Sequence, residues 1–104
     1  MALRNRNTNT GGGGFDFETR AAVWVKAATI PGYAPTEWRR DGCGAPIRWV
    51  DYGKIEQFGW EIDHIKPVAA GGSDVLSNLQ ALQWANNRAK SDNPPDRWAC
   101  EVRF

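Results

Sequence analysis

The sequence predicts one small α+β domain, and three observations carry that prediction. An apolar stripe at helical spacing, Phe17, Ala21, Trp24 and Ala28, opens the folding part of the chain. Stretches rich in β-branched and aromatic residues fill the middle, and a run of good helix formers, "QWANNRAKS", lies near the end. At 104 residues, with 41% hydrophobic content and six tryptophans, the chain can build a single core with a thin stability margin.

Residues 1–14, "MALRNRNTNTGGGG", are polar and glycine-rich and cannot bury enough apolar surface to order themselves, which predicts a flexible tail ahead of a domain spanning 15–104. Asp16 is placed to cap a packing helix, with Glu18 in its first turn and Pro31-Gly32 as its stop. "PGYAPTEWRRDG" reads as loop with a turn of helix from Thr36, and "APIRWVDYG" as a strand. "GWEIDHI" alternates better: Trp60, Ile62 and His64 on one face, Glu61, Asp63 and Ile65 on the other.

Pro67 ends that strand and "AAGGSD" supplies backbone freedom for a compact loop. "SNLQAL" is a second short strand or extended run. In the helix that follows, Gln83, Asn87 and Lys90 share a polar face, Trp84 points to the core, and Pro94-Pro95 is the stop. "RWACEVRF" alternates like a closing edge strand.

Two cysteines, Cys43 and Cys100, are too few for a disulfide scaffold or a four-thiolate zinc site, and we read them as buried reduced thiols rather than a pair. No apolar segment follows the basic N-terminus as a secretory signal would require, so a cytoplasmic location is expected. No stretch approaches the roughly 20 apolar residues that span a bilayer, so no membrane partner is expected.

Net charge is +1, which excludes a polycation that coats nucleic acid by bulk electrostatics. The local distribution is more informative. Residues 55–81 carry Glu56, Glu61, Asp63 and Asp74 against Lys66 alone, a sum of −3 that repels phosphate unless a cation fills it.

The only histidine, His64, follows Asp63. A lone strand histidine is ordinarily a hydrogen-bonded core residue, so its surroundings must argue otherwise. Metal-assisted phosphodiester hydrolysis needs a base for water, oxygen ligands for a hard cation, and the cation itself. Asp63 offers a carboxylate and Asn87 an amide oxygen, a donor set that suits magnesium or manganese. Imidazole-rich and thiolate ligation are lacking, which disfavours zinc. Arg88 and Lys90 on the helix, with Lys66, are candidates for gripping a nucleic-acid backbone; Arg39 and Arg40 are equally suited to phosphate contact or to a solvated surface.

The run "EIDHIKPVAAGGSDVLSNLQALQWANNRAK" resembles the HNH nuclease motif, also called the ββα-metal or His-Me finger motif. Asp63-His64, Ile65-Lys66-Pro67, Gly71-Gly72-Ser73-Asp74, Asn78-Leu79 and Asn87 through Lys90 fill its slots in order, within a motif core of 59–93. The resemblance implies a ββα-metal core with an N-terminal packing helix and a small antiparallel hairpin. It also implies Asp63 and Asn87 as ligands of one Mg2+ or Mn2+, His64 as general base, and Asn78 as the residue that holds the loop.

Many members have histidine where this chain has Asn87; the asparagine form also occurs in the HNH domains of RNA-guided DNA-cutting effectors. Many also carry two Cys-x-x-Cys pairs on a structural zinc. This chain has none, so the tryptophans are expected to brace the motif instead. The implied activity is DNA phosphodiester hydrolysis, one strand at a time, with two encounters, a homodimer or a larger nuclease assembly partner needed for a double-strand break. A nonspecific DNase toxin and a catalytically idle DNA-binding module are the alternatives.

Overall fold

The computed structural model describes residues 5–103; Met1 to Arg4 of the expected tail and Phe104 of the expected closing strand lie outside the described residues. The first helix, α1, runs Phe17–Lys26. Asp16 caps it by accepting from the Thr19 amide at 2.8 Å, and Glu18 and Lys26 sit at the ends where the helix dipole favours their charges. The helix closes ahead of the expected Pro31-Gly32 stop: Ala27 is its C-cap, and Ala28 belongs to the next element instead of the helical stripe.

Three short strands, β1 (Ala28–Thr29), β2 (Trp38–Arg40) and β3 (Pro46–Arg48), form an antiparallel sheet in which Arg39 pairs with Ile47. Loop was expected at Trp38–Arg40; the segment is the central strand, because flanking residues on both sides satisfy its backbone. The predicted strand through "APIRWVDYG" is cut to three residues by a 3-10 turn at Trp49–Asp51.

The second sheet pairs β4 (Trp60–His64) with β5 (Leu79–Gln83), with Trp60 opposite Gln83, Ile62 opposite Ala81 and His64 opposite Leu79. Helix α2 (Trp84–Lys90) follows β5 directly. Gln83 makes that junction possible, its side-chain oxygen accepting from the Ala85 and Asn86 amides at 2.7 and 3.4 Å. The core is Val23, Trp24, Ile47, Trp60, Ile62, Leu79 and Ala81, with Tyr52 and Trp24 rings 4.8 and 5.2 Å from Trp60.

Helix α2 inverts the expected polarity. Its buried residues are Asn86, Asn87 and Lys90, whereas Trp84 is half-buried and donates its indole N–H to the Glu56 carbonyl at 2.8 Å. The helix stops at Ser91 rather than at the prolines.

Among the described residues the C-terminal segment forms no strand. Asn86 holds it, accepting from the Glu101 and Val102 amides at 2.8 and 2.7 Å and donating to the Val102 carbonyl at 2.8 Å. That clamp brings Cys100 beside Cys43, and the two form a disulfide with Cα atoms 5.9 Å apart, correcting the expectation of reduced thiols. Among the described residues no helix is long and apolar enough to cross a membrane.

Candidate active site

Both faces of β4 are covered, so its polar residues are all buried. His64 accepts Leu79 as its neighbour in the ladder and sends its ring toward the 65–78 loop, where Nε2 lies 2.7 Å from Asp74 Oδ1. A carboxylate can only accept at neutral pH, so this contact places a ring proton on Nε2, and in the neutral ring the lone pair is then on Nδ1. Burial raises the Asp74 carboxyl, but hydrogen bonds from His64 and Thr10 outweigh it and hold the group below the usual carboxylate range.

The loop is built to present Asp74. A 3-10 turn at Val68–Ala70 ends at Gly71 with φ +92°, and Gly72 passes so close to the Lys66 carbonyl that a Cβ there would land on that oxygen. Asn78 pins the other side: its Oδ1 accepts from the Lys66 amide at 2.8 Å, and its Nδ2 donates to the Lys66 and Ser73 carbonyls at 3.1 and 2.9 Å.

Asp63 faces α2. Its Oδ2 accepts from Gln80 Nε2 at 2.9 Å and pairs with Lys90 Nζ at 3.3 Å. Burial pushes this carboxyl above its ordinary range, against the pull of Gln80 and Lys90. Asn87 donates from Nδ2 to Glu61 Oε1 at 2.9 Å, which fixes the orientation of its amide. Among the described residues, Oδ1 of Asp63 and Oδ1 of Asn87 have no protein partner.

Asp63, His64 and Asn87 line one cleft of about 90 Å³, room for several water molecules. Its other walls are Pro67 and Val68, Ser91 and Asp92, and the N-terminal residues Asn5, Arg6, Asn7 and Thr8. Where a flexible tail was expected, Asn7 Oδ1 accepts from Tyr52 Oη and from the Ile62 amide, both at 2.8 Å, and Thr10 donates to Asp74 through its amide and hydroxyl. Polar side chains order this segment without apolar burial. Among the described residues the only non-glycine positive φ values are at Asn7 (+59°) and Ser91 (+51°), and both residues line the cleft.

The expected phosphate contacts fare differently. Lys90 exposes none of its surface and donates to the His64 carbonyl at 2.9 Å as well as pairing with Asp63, so it cannot reach DNA. Arg39 is engaged by the carbonyls of Pro35, Val25 and Ala27 at 3.0 to 3.2 Å. Arg40 lines a separate cavity with Val23, Lys26 and Gln80. Arg88 is exposed with its guanidinium carbon 5.0 Å from the Trp84 ring centre, and Lys66 is exposed on the loop; neither lines the cleft.

A family model described as HNH endonuclease matches residues 41–93, half of the chain. The chain belongs to the HNH endonuclease family. No curated protein and no solved structure matches it. Two small antiparallel sheets and two helices are compatible with an HNH fold.

Within this HNH domain, no group of three or more His, Cys, Asp or Glu side chains is gathered to hold a metal ion among the described residues. Asp63 and Asn87 would contribute one carboxylate oxygen and one amide oxygen, so a cation held by them would keep water or substrate oxygens in most of its shell, as magnesium prefers. Sequence reasoning gave Asp74 and Glu61 no role beyond the acidic stretch they share, and gave Gln80 none. Asp74 stood in the motif's loop, and its spacing from His64 was the one signal available. Glu61 and Asn87 lie 26 residues apart, and only the fold brings them together.

Proposed function

We propose that this domain is a metal-dependent endonuclease that hydrolyses DNA phosphodiester bonds. The observation that carries the reading is the convergence of three groups on one cleft: the His64 ring with Nε2 engaged by Asp74, and the unpartnered oxygens of Asp63 and Asn87.

His64 takes a proton from water at Nδ1 as the water oxygen attacks phosphorus, and the imidazolium that forms is stabilised by the Asp74 carboxylate. Asp63 and Asn87 would hold one Mg2+ or Mn2+, which supplies charge neutralisation at the phosphate and the departing 3′ oxygen. Glu61 engages the Asn87 amide nitrogen, which leaves the amide oxygen as the atom available to a cation. Asn78 fixes the loop that carries Asp74. The products are 5′-phosphate and 3′-hydroxyl ends, from one strand per encounter, so that paired breaks need a second encounter or a second protomer.

The test is relaxation of supercoiled plasmid in magnesium, manganese or chelator. Wild type should nick plasmid only with a divalent cation, and His64→Ala should slow nicking by ~10² or more. Asn87→Ala should raise the half-saturating metal concentration about tenfold or more, with an unchanged value removing Asn87 from the ligand set. A wild type that cuts neither plasmid, linear duplex nor single strands would leave the idle binding module in its place.

A further inference from the structure

We infer that Arg6, on the N-terminal segment, is a catalytic residue that grips the phosphate held in the cleft. This rests on the proposed nuclease reading and adds to it a residue from outside the 41–93 match.

The cleft needs a cation that touches substrate, and its charged lining makes the choice narrow. Asp63 and Asp92 are acidic, and Arg6 is the one lysine or arginine among the described cleft-lining residues. The motif's own basic residues do not serve: Lys90 is sealed beneath His64 and Asp63, Arg88 turns to Trp84, and Lys66 does not line the cleft. Arg6 is exposed and makes no hydrogen bond or ion pair among the described residues, so its guanidinium is available.

Its position is fixed from both sides. Asn7, in the left-handed region at φ +59°, aims its amide oxygen at Tyr52 Oη and at the Ile62 amide, one residue from Asp63. Asparagine tolerates that conformation better than most residues. Three residues later, Thr10 is hydrogen-bonded to Asp74, the partner of His64. The segment is therefore attached to β4 at one point and to the base's own orienting carboxylate at the other, with Arg6 beside the first. A guanidinium offers two parallel N–H donors matched to a pair of non-bridging phosphate oxygens, which an ammonium cannot reproduce.

The experiment compares wild type, Arg6→Ala, Arg6→Lys, Asn7→Ala and His64→Ala in steady-state cleavage of a duplex oligonucleotide. Thermal unfolding of each variant is followed in parallel. Arg6→Ala should lower kcat/KM by ~10² at an unchanged melting temperature and metal requirement, Arg6→Lys should recover only part, and millimolar guanidinium should partly rescue Arg6→Ala. Asn7→Ala should lower the rate by releasing the segment.

Binding gives a second readout without cleavage. In a His64→Ala background, adding Arg6→Ala should reduce the slope of log affinity against log salt by about 0.9, the loss of one phosphate contact. If Arg6→Ala cuts as wild type does while His64→Ala is inactive, the inference falls and the nuclease reading stands. If Asn7→Ala cuts faster than wild type, the segment is a cover over the cleft and Arg6 is not a catalytic group. If wild type cuts no DNA at all, the nuclease reading fails and takes this role of Arg6 with it.

Discussion

Replacing Lys90 with methionine separates the position found for this residue from the DNA contact its place in the motif suggests. The methionine retains most of the aliphatic stem and its packing, so the perturbation is confined to the ammonium group. That group exposes no surface, donates to the His64 carbonyl at 2.9 Å and lies 3.3 Å from Asp63 Oδ2. Loss of a charge-assisted hydrogen bond costs about 1.5–3 kcal/mol, and stripping a buried carboxylate of its cation about 3–5 kcal/mol. The two overlap, because Gln80 still donates to Asp63 and the carboxyl can take up a proton. We therefore expect a loss of about 3 kcal/mol from a total on the order of 5–15 kcal/mol. In urea unfolding at neutral pH this is a fall in midpoint of roughly 2 M for a slope near 1.5 kcal/mol/M. The double variant Asp63→Asn/Lys90→Met removes both charges and should be at least about 1 kcal/mol more stable than the sum of the single losses. A cost below about 1 kcal/mol for Lys90→Met, or strict additivity of the pair, refutes the buried-pair reasoning. A lysine that gripped DNA would instead leave the midpoint unchanged and flatten the salt dependence of binding.

Two further predictions concern the disulfide and Asp74. Cys43 and Cys100 close a loop of 57 residues, for which chain entropy gives about 4 kcal/mol; the Cys43→Ser/Cys100→Ser variant should melt at least about 15 °C lower, and a difference under about 5 °C refutes the estimate. Asp74 has a folded-state carboxyl below its ordinary range, so its contribution to stability is complete above the unfolded value near 4 and is lost as pH falls through the folded one. The stability difference between wild type and Asp74→Asn, followed by urea unfolding across acid pH, should therefore shrink as pH drops. A difference that widens in acid would contradict the assigned direction.

The parts of the fold legible in the sequence are those set by neighbours in the chain. Asp16 and Thr19, three residues apart, specify a helix start, and the alternation from Trp60 to His64 specifies a strand. What escaped was polar and long-range. Amphipathic patterning puts Gln83, Asn87 and Lys90 on a polar face and turns Trp84 to the core, because it takes no account of the surface that face meets. Here that surface carries Glu61, Asp63 and Asp41, so the polar face of α2 packs inward and Trp84 is displaced outward. Arg39 looked like a surface cation for the same reason: its three carbonyl partners lie at α1's end and in the following loops. The N-terminal segment escaped because composition measures apolar burial, whereas Asn7 and Thr10 order it through hydrogen bonds.

The brace beneath the motif is the clearest instance. Tryptophan packing was expected to replace a structural zinc, and Trp24, Trp49 and Trp60 do cluster under β4, with ring centres 5.2 to 5.9 Å apart. Trp38, however, packs on Phe58 away from that cluster, and Trp84 is half-exposed. The residue that joins the chain's parts at α2 is Asp41, where the family match begins. Its buried carboxylate accepts from the amides of Cys43 and Ala45 through one oxygen and from the Gln83 amide and Asn86 Nδ2 through the other, at 2.9 to 3.0 Å. Four N–H donors thus satisfy the buried carboxylate. Asn86 then extends the junction to Val102, and the disulfide extends it to Cys100. The first turn of α2 is thus clamped by a carboxylate with hydrogen-bond donors, and its last turn by the Lys90 ammonium against Asp63 and the His64 carbonyl. Asn87 lies between these two clamps, so its amide is placed by a helix that cannot slide along β4 without breaking a charged, buried contact at one end or the other.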